Sequence, residues 1–490
     1  MALDTVELLL VAPPSLYEGL GGPVAELDGR VPSCQLIAWC IHGSVGPVLP
    51  VARSRASEDI SLFTSMWVGM SSVRGTKQGG RVSADHLKIG ILSFRHPSDA
   101  SVGVANVVSR LSRHFREFGH EVWVYYPVRD DCSPGPELWE GVHAVPIFLT
   151  TRLHGPLGLE REVSVKMARA LRPDLDVVLV NNEFGACFAD LAKRTDGSGR
   201  RPLKVVALHG LAIHFMESGR SSRRPGLRPQ LGYWLDIWAL RALERQSLVN
   251  ADLIVACSSS VRNDARSTYG IPPERVSVVY NGTDTRVSPA TIEREQVRVE
   301  FGLSQSENIV SFVGADPHRK GLDIAKGAVQ LLRQRGIAVT LLNVGNQSPS
   351  EEGMVSVGRV REEAKRSILL SSDMFVLPSS YEGFPAAIQE AAALGIPVVT
   401  SQGSGLDIGE PGRDYALVHE NSAEAYAATI GELLKDRALL ARMGEAGRVA
   451  LGSRSYRDQA MEYLRLFENA LQNRSLPPRH GATALSGTGG

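Results

Sequence analysis

Residues 378–400 read PSSYEGFPAAIQEAAALGIPVVT, and this stretch decides the predicted fold. The apolar run Met374–Leu377 in front of it is typical of a strand, and a polar turn follows. Pro385 suits the first residue of a helix, where its missing N–H is not needed, and Gly395 suits the left-handed residue that ends one. The run 397–400 then predicts another strand. The order is therefore strand, turn, helix, glycine stop and strand.

The start of this helix has the chemistry of an anion site. Free N–H groups around Gly383, Phe384 and Pro385 favour phosphate, and the carboxylates of Glu382 and Glu390 flank them. A carboxylate accepts two hydrogen bonds, so it suits the vicinal diol of a sugar or a ribose. Together these groups would fit a nucleotide sugar. For a glutamate pair alone, the plainer interpretation is a helix-cap charge followed by a solvated helix residue.

The segment YEGFPAAIQEAAALGIPVV resembles the E-x7-E signature of the retaining family-4 glycosyltransferases, which have the two-domain GT-B fold. The resemblance extends from about Lys88 to the region of Leu464. It implies an enzyme that moves a sugar from a nucleotide diphosphate sugar to an acceptor, with retention of anomeric configuration. In the family's pattern Glu382 would hold the donor sugar's hydroxyls and Glu390 the ribose. The acceptor would be a glycan or other carbohydrate, a lipid or lipid-linked molecule, or a small molecule.

Length and composition limit the number of domains and the classes of partner. A chain of 490 residues exceeds one ordinary core, so two or three domains are expected. The 53 basic side chains are balanced by 53 acidic ones, so we expect no nucleic-acid partner. The five cysteines form no C-x-x-C pair, which favours reduced thiols and a cytoplasmic protein. No uninterrupted apolar run reaches the length of a membrane span.

Alternating strand and helix patterns from Lys88 onward predict an α/β fold with doubly wound parallel sheets. With the resemblance, they indicate two Rossmann-like domains facing a central cleft: 86–285 on the acceptor side and 286–455 for the nucleotide sugar. A helix over 456–472 is expected to cross back onto the first domain, before a disordered tail over 473–490. Residues 1–85 show little periodicity, and we expect a partly disordered extension there.

The first domain supplies two candidate site residues. Gly103 follows a predicted strand where the family usually has a Gly-Gly pair near the donor diphosphate. Val102 takes the place of the other glycine, so a plain tight turn explains the residue equally well. His209 ends the predicted strand 203–208 and therefore points into the cleft. The resemblance puts it near the transferred sugar; the alternative is a histidine that only caps the strand.

The second domain supplies the cations. The resemblance implies that Lys320 neutralises the donor diphosphate, but Ala315 stands where the family usually has an arginine. Arg319 could reach the same phosphate by another route. Ser404 and Gly405 lie in a glycine-rich turn behind a strand, where their amides would contact phosphate or sugar. The turn lacks the G-x-G-x-x-G spacing, so a dinucleotide is not indicated.

No metal ligand and no cofactor are predicted. Asp174 and Asp176 form a D-x-D pattern, but they follow Pro173 and open a buried strand, so we interpret them as a strand-entry turn. The basic loop with Arg220, Arg223, Arg224 and Arg228 precedes the segment 233–238, which contains three aromatic residues. Peripheral membrane contact through 219–238 is one interpretation, and a solvated loop before a packed helix is the other.

Two rival functions stay open. A related enzyme would act on a sugar phosphate or release the sugar to water. A non-catalytic homologue would bind sugar or a partner enzyme, and Ala315 and the half-matched Val102–Gly103 turn are the features that suggest it.

Overall fold

The computed structural model of the chain describes residues 86–99, 103–128, 135–149, 161–191, 201–219, 227–283 and 294–475. The predicted extension at 1–85, Val102, and the arginines at 220, 223 and 224 lie outside the described residues. So do residues 476–490 of the predicted tail.

The first domain is built on an eight-stranded sheet with the order β3-β4-β2-β1-β5-β6-β7-β8. All neighbouring pairs are parallel except β3 and β4, which are antiparallel. The central strands are apolar runs buried on both faces, as expected for a parallel sheet covered by helices. The strands are β1 (Lys88–Leu92), β2 (Glu121–Val128), β3 (Glu137–Trp139), β4 (Val142–Phe148), β5 (Val177–Asn181), β6 (Leu203–Leu208), β7 (Leu253–Ala256) and β8 (Val276–Val278).

The second domain contains a six-stranded, wholly parallel sheet with the order β11-β10-β9-β12-β13-β14. In both sheets the strand order reverses beside the first strand, between β1 and β5 and between β9 and β12. Open α/β sheets bind ligands at the carboxyl ends of the strands at such a reversal. The strands are β9 (Asn308–Val313), β10 (Val339–Val344), β11 (Met354–Gly358), β12 (Met374–Leu377), β13 (Val398–Ser401) and β14 (Ala416–Val418).

Helices cover both faces of each sheet, so each domain has two apolar layers. In the first domain they are α1 (Gly103–Glu117), α2 (Arg161–Ala170), α3 (Phe188–Leu191), α4 (Ala212–Ser218), α5 (Leu227–Asn250) and α6 (Ser259–Tyr269). In the second domain they are α7 (Arg294–Glu300), α8 (Leu322–Gln334), α9 (Glu362–Ser371), α10 (Ala386–Ala393), α11 (Ala423–Lys435) and α12 (Arg437–Ala450).

The last helix, α13 (Tyr456–Ser475), returns to the first domain. Tyr463 and Phe467 lie in one buried cluster with residues of β1 and α1, and the Phe467 ring centroid is 5.9 Å from that of Phe115. The segment that leads back to the first domain runs beside the segment that leaves it: the Thr283 N–H donates to the Arg454 carbonyl at 2.9 Å. The predicted return of the C-terminal helix is thus confirmed.

The doubly wound parallel architecture was predicted correctly, but several bounds were not. Pro385 is the extended residue before α10 rather than its first helical residue, since its ψ is 110°. The first helix includes Gly103, which was expected in a tight turn, and the last helix continues to Ser475, where a disordered tail was expected from Asn473. Gly395 does adopt the left-handed conformation, with φ of 74°.

Candidate active site

The second domain's reversal point brings two loops together. The β9–α8 loop carries Arg319 and Lys320, and the β12–α10 loop carries Glu382. Gly321 allows the contact, because a Cβ on this residue would lie 2.2 Å from the Pro378 carbonyl oxygen. The Ser380 N–H then donates to the Arg319 carbonyl at 2.9 Å, which ties the two loops side by side.

Glu382 is the centre of this cluster. Its Oε1 lies 2.8 Å from Lys320 Nζ and 2.9 Å from Arg319 Nη1, and it accepts a hydrogen bond from Ser379 Oγ at 3.1 Å. The residue is only 8% exposed. Burial would raise the pKa of its carboxyl, but the charges and hydrogen bonds of Lys320 and Arg319 outweigh burial and lower the pKa below its ordinary value. The carboxylate is therefore ionised and bound between two cations.

Lys320 and Arg319 keep donors beyond those that Glu382 uses. An ammonium has three N–H donors and a guanidinium has five. The Lys320 stem packs across Gly314, where a Cβ would lie 2.3 Å from Lys320 Cδ, so the chain of this lysine is fixed in direction. Arg319 Nε also lies 3.3 Å from Asp316 Oδ2. The structure thus places Arg319 beside Lys320 on the same carboxylate.

Glu390 lies further along, in α10, within the second domain. Its Oε2 is 2.9 Å from Nζ of Lys365 on α9. Burial would lower the pKa of Lys365, but the carboxylates of Glu390 and Glu362 raise it, so this lysine remains a cation. Glu390 is thus a paired helix residue whose side chain remains 24% exposed.

His209 lies at the carboxyl end of β6, as predicted, and is buried. Its Nε2 is 2.9 Å from Asn181 Oδ1, and the Asn181 amide is oriented because its Nδ2 donates to the Leu92 carbonyl at 2.7 Å. An amide oxygen only accepts, so Nε2 carries the proton and Nδ1 is left as an acceptor. Nδ1 is buried without a hydrogen-bond partner among the described residues. Burial lowers the pKa of His209 to about 4, so the ring is neutral.

The two domains meet where His209 and the β12–α10 loop approach each other. A Cβ on Gly383 would lie 2.0 Å from the His209 carbonyl oxygen, so only glycine fits. The Gly383 carbonyl accepts from Ser258 Oγ at 2.7 Å, and the Phe384 ring enters the first domain's core cluster, 5.3 Å from the Tyr280 ring. The loop that carries Glu382 is therefore seated on the first domain.

The turn with Ser404 and Gly405 supports the same loop from the other side. Gly405 has φ of 65°, and a Cβ there would lie 2.5 Å from the Glu382 carbonyl oxygen. Ser404 Oγ donates to the Ser401 carbonyl at 2.7 Å, so it is engaged within its own turn. Just beyond, Asp407 Oδ2 accepts from the Ser260 N–H at the start of α6 at 2.9 Å. This turn thus also contacts the first domain.

Gly103 is the first residue of α1, and among the described residues no atom lies within 4 Å of the place a Cβ would take. Asp174 accepts from Lys88 Nζ at 2.7 Å, and Asp176 Oδ2 accepts from the Lys88 N–H at 2.9 Å, so both aspartates tie the opposite, amino-terminal edge of the sheet. Within the described residues, no three histidine, cysteine or acidic side chains group as metal ligands would.

Sequence reasoning missed several residues of this interface. Asn181 is the last residue of β5, and polar residues such as Asn181 and Asn182 at the end of an apolar run are a usable signal. Ser258, Asp264 and Tyr381 gave no comparable signal, because each acts on a residue more than a hundred positions away.

Two family models match the chain: "Glycosyltransferase Family 4" matches residues 102–287 and "Glycosyl transferases group 1" matches residues 293–450. The α-maltose-1-phosphate synthase of Mycolicibacterium smegmatis is 33% identical over 267 residues, which are 49% of this chain and 67% of that protein. The chain belongs to glycosyltransferase family 4. The predicted family and enzyme class are thereby confirmed.

Other relatives extend the likeness of this family-4 glycosyltransferase. The MMP α-(1→4)-mannosyltransferase of Mycolicibacterium hassiacum is 25% identical, over 79% of this chain and 98% of that protein. Among solved structures, sucrose-phosphate synthase from Thermosynechococcus elongatus aligns with a TM-score of 0.61 and 18% identity, over 78% of this chain and 98% of the other. Such structural neighbours confirm the GT-B fold of this glycosyltransferase.

Proposed function

We propose that this glycosyltransferase takes a hexose from a nucleotide diphosphate sugar and transfers it with retention of anomeric configuration. The observation that carries the proposal is the convergence of Lys320 and Arg319 on Glu382 at the reversal point of the second sheet. Anionic ligands of open α/β folds bind at this place, and two fixed cations there suit a diphosphate.

The sugar-transfer reaction suggests a role for each cation and amide of the site. The bond between the sugar's C1 and the diphosphate oxygen breaks, the acceptor oxygen bonds to C1 on the same face, and the acceptor's proton passes to the departing diphosphate. Lys320, Arg319 and the amides of Gly383 and Phe384 would stabilise the charge that develops on the leaving group. The proposal therefore needs no metal and no cofactor.

The two carboxylates would bind hydroxyls. Glu382 faces the donor sugar and Glu390 the ribose, with Ser404, Gly405 and Gly103 near the donor. His209 Nδ1 is a buried acceptor, so a hydroxyl of the transferred sugar is the group that would satisfy it. The Anabaena HepE structure, which aligns with a TM-score of 0.56 at 18% identity, is described in complex with UDP and glucose, which supports a donor of this class.

Transfer can be tested on the purified protein with UDP-glucose, ADP-glucose and GDP-mannose and a panel of sugar acceptors, in the presence of EDTA. An α-linked product identified by NMR from an α-linked donor supports retention. We expect Glu382→Ala and Lys320→Ala each to lose most transfer while keeping the fold. Lys326→Ala, in the neighbouring helix α8, is the matched control. Wild-type turnover in both site variants would refute the assignment.

The rival proposal is a non-catalytic homologue, favoured by Ala315 in the place of an arginine. Arg319 Nη1 at 2.9 Å from Glu382 weakens that argument, because a second cation is present in the cluster. Tight binding of a nucleoside diphosphate without any turnover of the three donors would support the rival.

We also infer that helix α5 contacts an anionic membrane surface. Trp234 and Trp238 are 57% and 66% exposed, and Arg241 and Arg245 are exposed on the same helical face, at i+7 from each. Tryptophan favours the bilayer interface and arginine favours anionic headgroups. Within the described residues no helix combines the length and hydrophobicity needed to cross a bilayer. The nucleotide-sugar donor places this contact on the cytoplasmic side in our proposal.

Co-sedimentation at low salt tests the membrane contact. We expect binding to phosphatidylglycerol-containing vesicles and at least tenfold weaker binding by the Trp234→Ala/Trp238→Ala variant. Val299→Ser, which removes an exposed apolar side chain of the second domain, serves as the control. Equal binding to neutral vesicles would contradict the role of the arginines, and no binding to either kind of vesicle would overturn the proposal.

A further inference from the structure

Tyr381 belongs to the second domain, but its side chain ends in the first. The hydroxyl accepts from the Leu211 N–H at 2.9 Å and donates to Asp264 Oδ2 at 2.9 Å. Its ring stands edge-on to the rings of Phe215 and His214, with centroids 5.0 and 5.1 Å away. One side chain thus makes polar and aromatic contacts across the cleft.

The direction of these hydrogen bonds is fixed by chemistry. Burial raises the pKa of Tyr381 well above its ordinary value, and the charge of Asp264 raises it further, so the hydroxyl keeps its proton. A carboxylate only accepts, so the O–H donates to Asp264 and its oxygen remains free to accept from Leu211. Loss of the hydroxyl would leave the N–H of the buried Leu211 without that acceptor.

The backbone of Tyr381 links this contact to the candidate donor site. Its carbonyl accepts from Arg319 Nη1 at 2.7 Å, and the same nitrogen lies 2.9 Å from Glu382 Oε1. The Arg319 guanidinium also lies 5.1 Å from the centre of the Phe215 ring of the first domain. Glu382 follows Tyr381 directly in the chain. The orientation of Arg319 and Glu382 therefore depends on where Tyr381 is held.

We propose that Tyr381 is a positioning residue whose hydroxyl, docked on Leu211 and Asp264, holds Arg319 and Glu382 in the donor-binding arrangement when the two domains are closed. The inference rests on the proposed function for its kinetic readout. Without the hydroxyl the closed arrangement is less populated, and the apparent affinity for the donor falls by the closed fraction. Saturating donor restores closure, so the maximal rate is largely kept.

The test compares Tyr381→Phe, Asp264→Ala and the double variant in steady-state kinetics with the donor that the wild-type enzyme uses among UDP-glucose, ADP-glucose and GDP-mannose. We expect the donor KM to rise roughly tenfold in each single variant, the value of about one lost hydrogen bond, with kcat within about twofold. The double variant is expected to raise KM by less than the product of the two single increases, because both substitutions remove the shared Tyr381–Asp264 hydrogen bond. A merely structural role would leave KM unchanged, and that result would overturn the proposal.

Tyr125→Phe is the matched control, since its hydroxyl accepts from the Arg172 N–H at 3.3 Å inside the first domain. A similar rise of KM in this control would also contradict the proposal. Small-angle scattering separates the two hypotheses if the wild-type protein transfers no sugar. In that case the proposed function fails. A larger radius of gyration for Tyr381→Phe than for wild type would still support the role of the Tyr381 hydroxyl in holding the two domains closed. Equal radii would overturn it.

Discussion

The backbone of Gly383 is packed directly on the backbone of His209, so closely that a Cβ on Gly383 would lie 2.0 Å from the His209 carbonyl oxygen. The contact joins the loop that carries Glu382 to the end of strand β6. Because the obstructing atom belongs to the backbone, it cannot move aside as a flexible side chain would.

We expect Gly383→Ala to prevent full closure of the two domains and to lower kcat/KM for sugar transfer by at least a hundredfold. Each domain keeps its own core, so the thermal midpoint should change little. Gly135→Ala is the control, since among the described residues no atom lies within 4 Å of a Cβ placed there. Steady-state kinetics and circular dichroism check both variants, and full activity of Gly383→Ala would contradict the observed packing.

His209 is expected to stay neutral well below its ordinary pKa. Burial lowers the pKa of its imidazole to about 4, so nitrogen NMR of labelled histidine should show an Nε2–H tautomer that does not titrate between pH 7 and pH 5. The resonance is assigned by its absence in His209→Gln. A midpoint near 6.5 for this signal would refute the buried tautomer.

The same histidine makes stability depend on pH. In the unfolded chain it binds a proton near pH 6.5, whereas in the folded chain it does so only near pH 4. Stability is therefore complete above about pH 6.5 and is lost as the pH falls toward 4. At pH 5 the loss from this group is about 2 kcal/mol. Denaturant unfolding measures the free energy of unfolding at each pH, and in His209→Gln this energy should fall less between pH 6.5 and pH 4 than in wild type. An equal fall in both proteins would contradict the prediction.

Glu382→Gln and Lys320→Ala should separate catalysis from nucleotide binding. The glutamine removes a negative charge beside two cations, so transfer is lost while the affinity for the product nucleoside diphosphate stays equal or rises. Lys320→Ala removes a cation, and the same affinity should fall about tenfold or more. Calorimetric titration with UDP, ADP and GDP measures both, with Lys326→Ala as reference. If Glu382→Gln bound the nucleotide tenfold more weakly, the negative charge of Glu382 would be favourable for nucleotide binding, and the prediction would be wrong.

Glu390 should matter for ribose and not for phosphate. We expect Glu390→Gln to weaken nucleoside diphosphate binding about tenfold while leaving pyrophosphate binding unchanged, because only the former carries the diol. Inhibition constants for the two ligands give the comparison. Equal weakening of both would assign Glu390 to the phosphate side or to the support of Lys365, its partner at 2.9 Å.

Local sequence patterns correctly predicted features that depend only on neighbouring residues. The strand Met374–Leu377, the left-handed Gly395 and the position of His209 at a strand end all follow from periodicity and backbone sterics. The misplaced start of α10 shows the limit of such rules. Pro385 is compatible with the cap and with the first helical position, and the residue type alone does not select between them.

The contacts that assemble the site were beyond sequence reasoning. The approach of Arg319 to Glu382 requires Gly321 to fit against Pro378, and the seat of Tyr381 requires Asp264 on a helix of the other domain. These pairs are far apart in the chain and share no periodicity, so propensity carries no information about them. The antiparallel edge strand β3 was missed for a similar reason, since three residues are too short to show alternation.

The return of α13 has a consequence for biosynthesis. Residues of α13, among them Tyr463 and Phe467, complete the apolar layer on one face of β1, and they are translated after the whole second domain. During translation the first domain therefore exposes an apolar surface until α13 has been synthesised. The second domain needs no later segment, because every strand and helix of its sheet precedes α13 in the chain. Chaperone demand should fall on the early half of the nascent polypeptide.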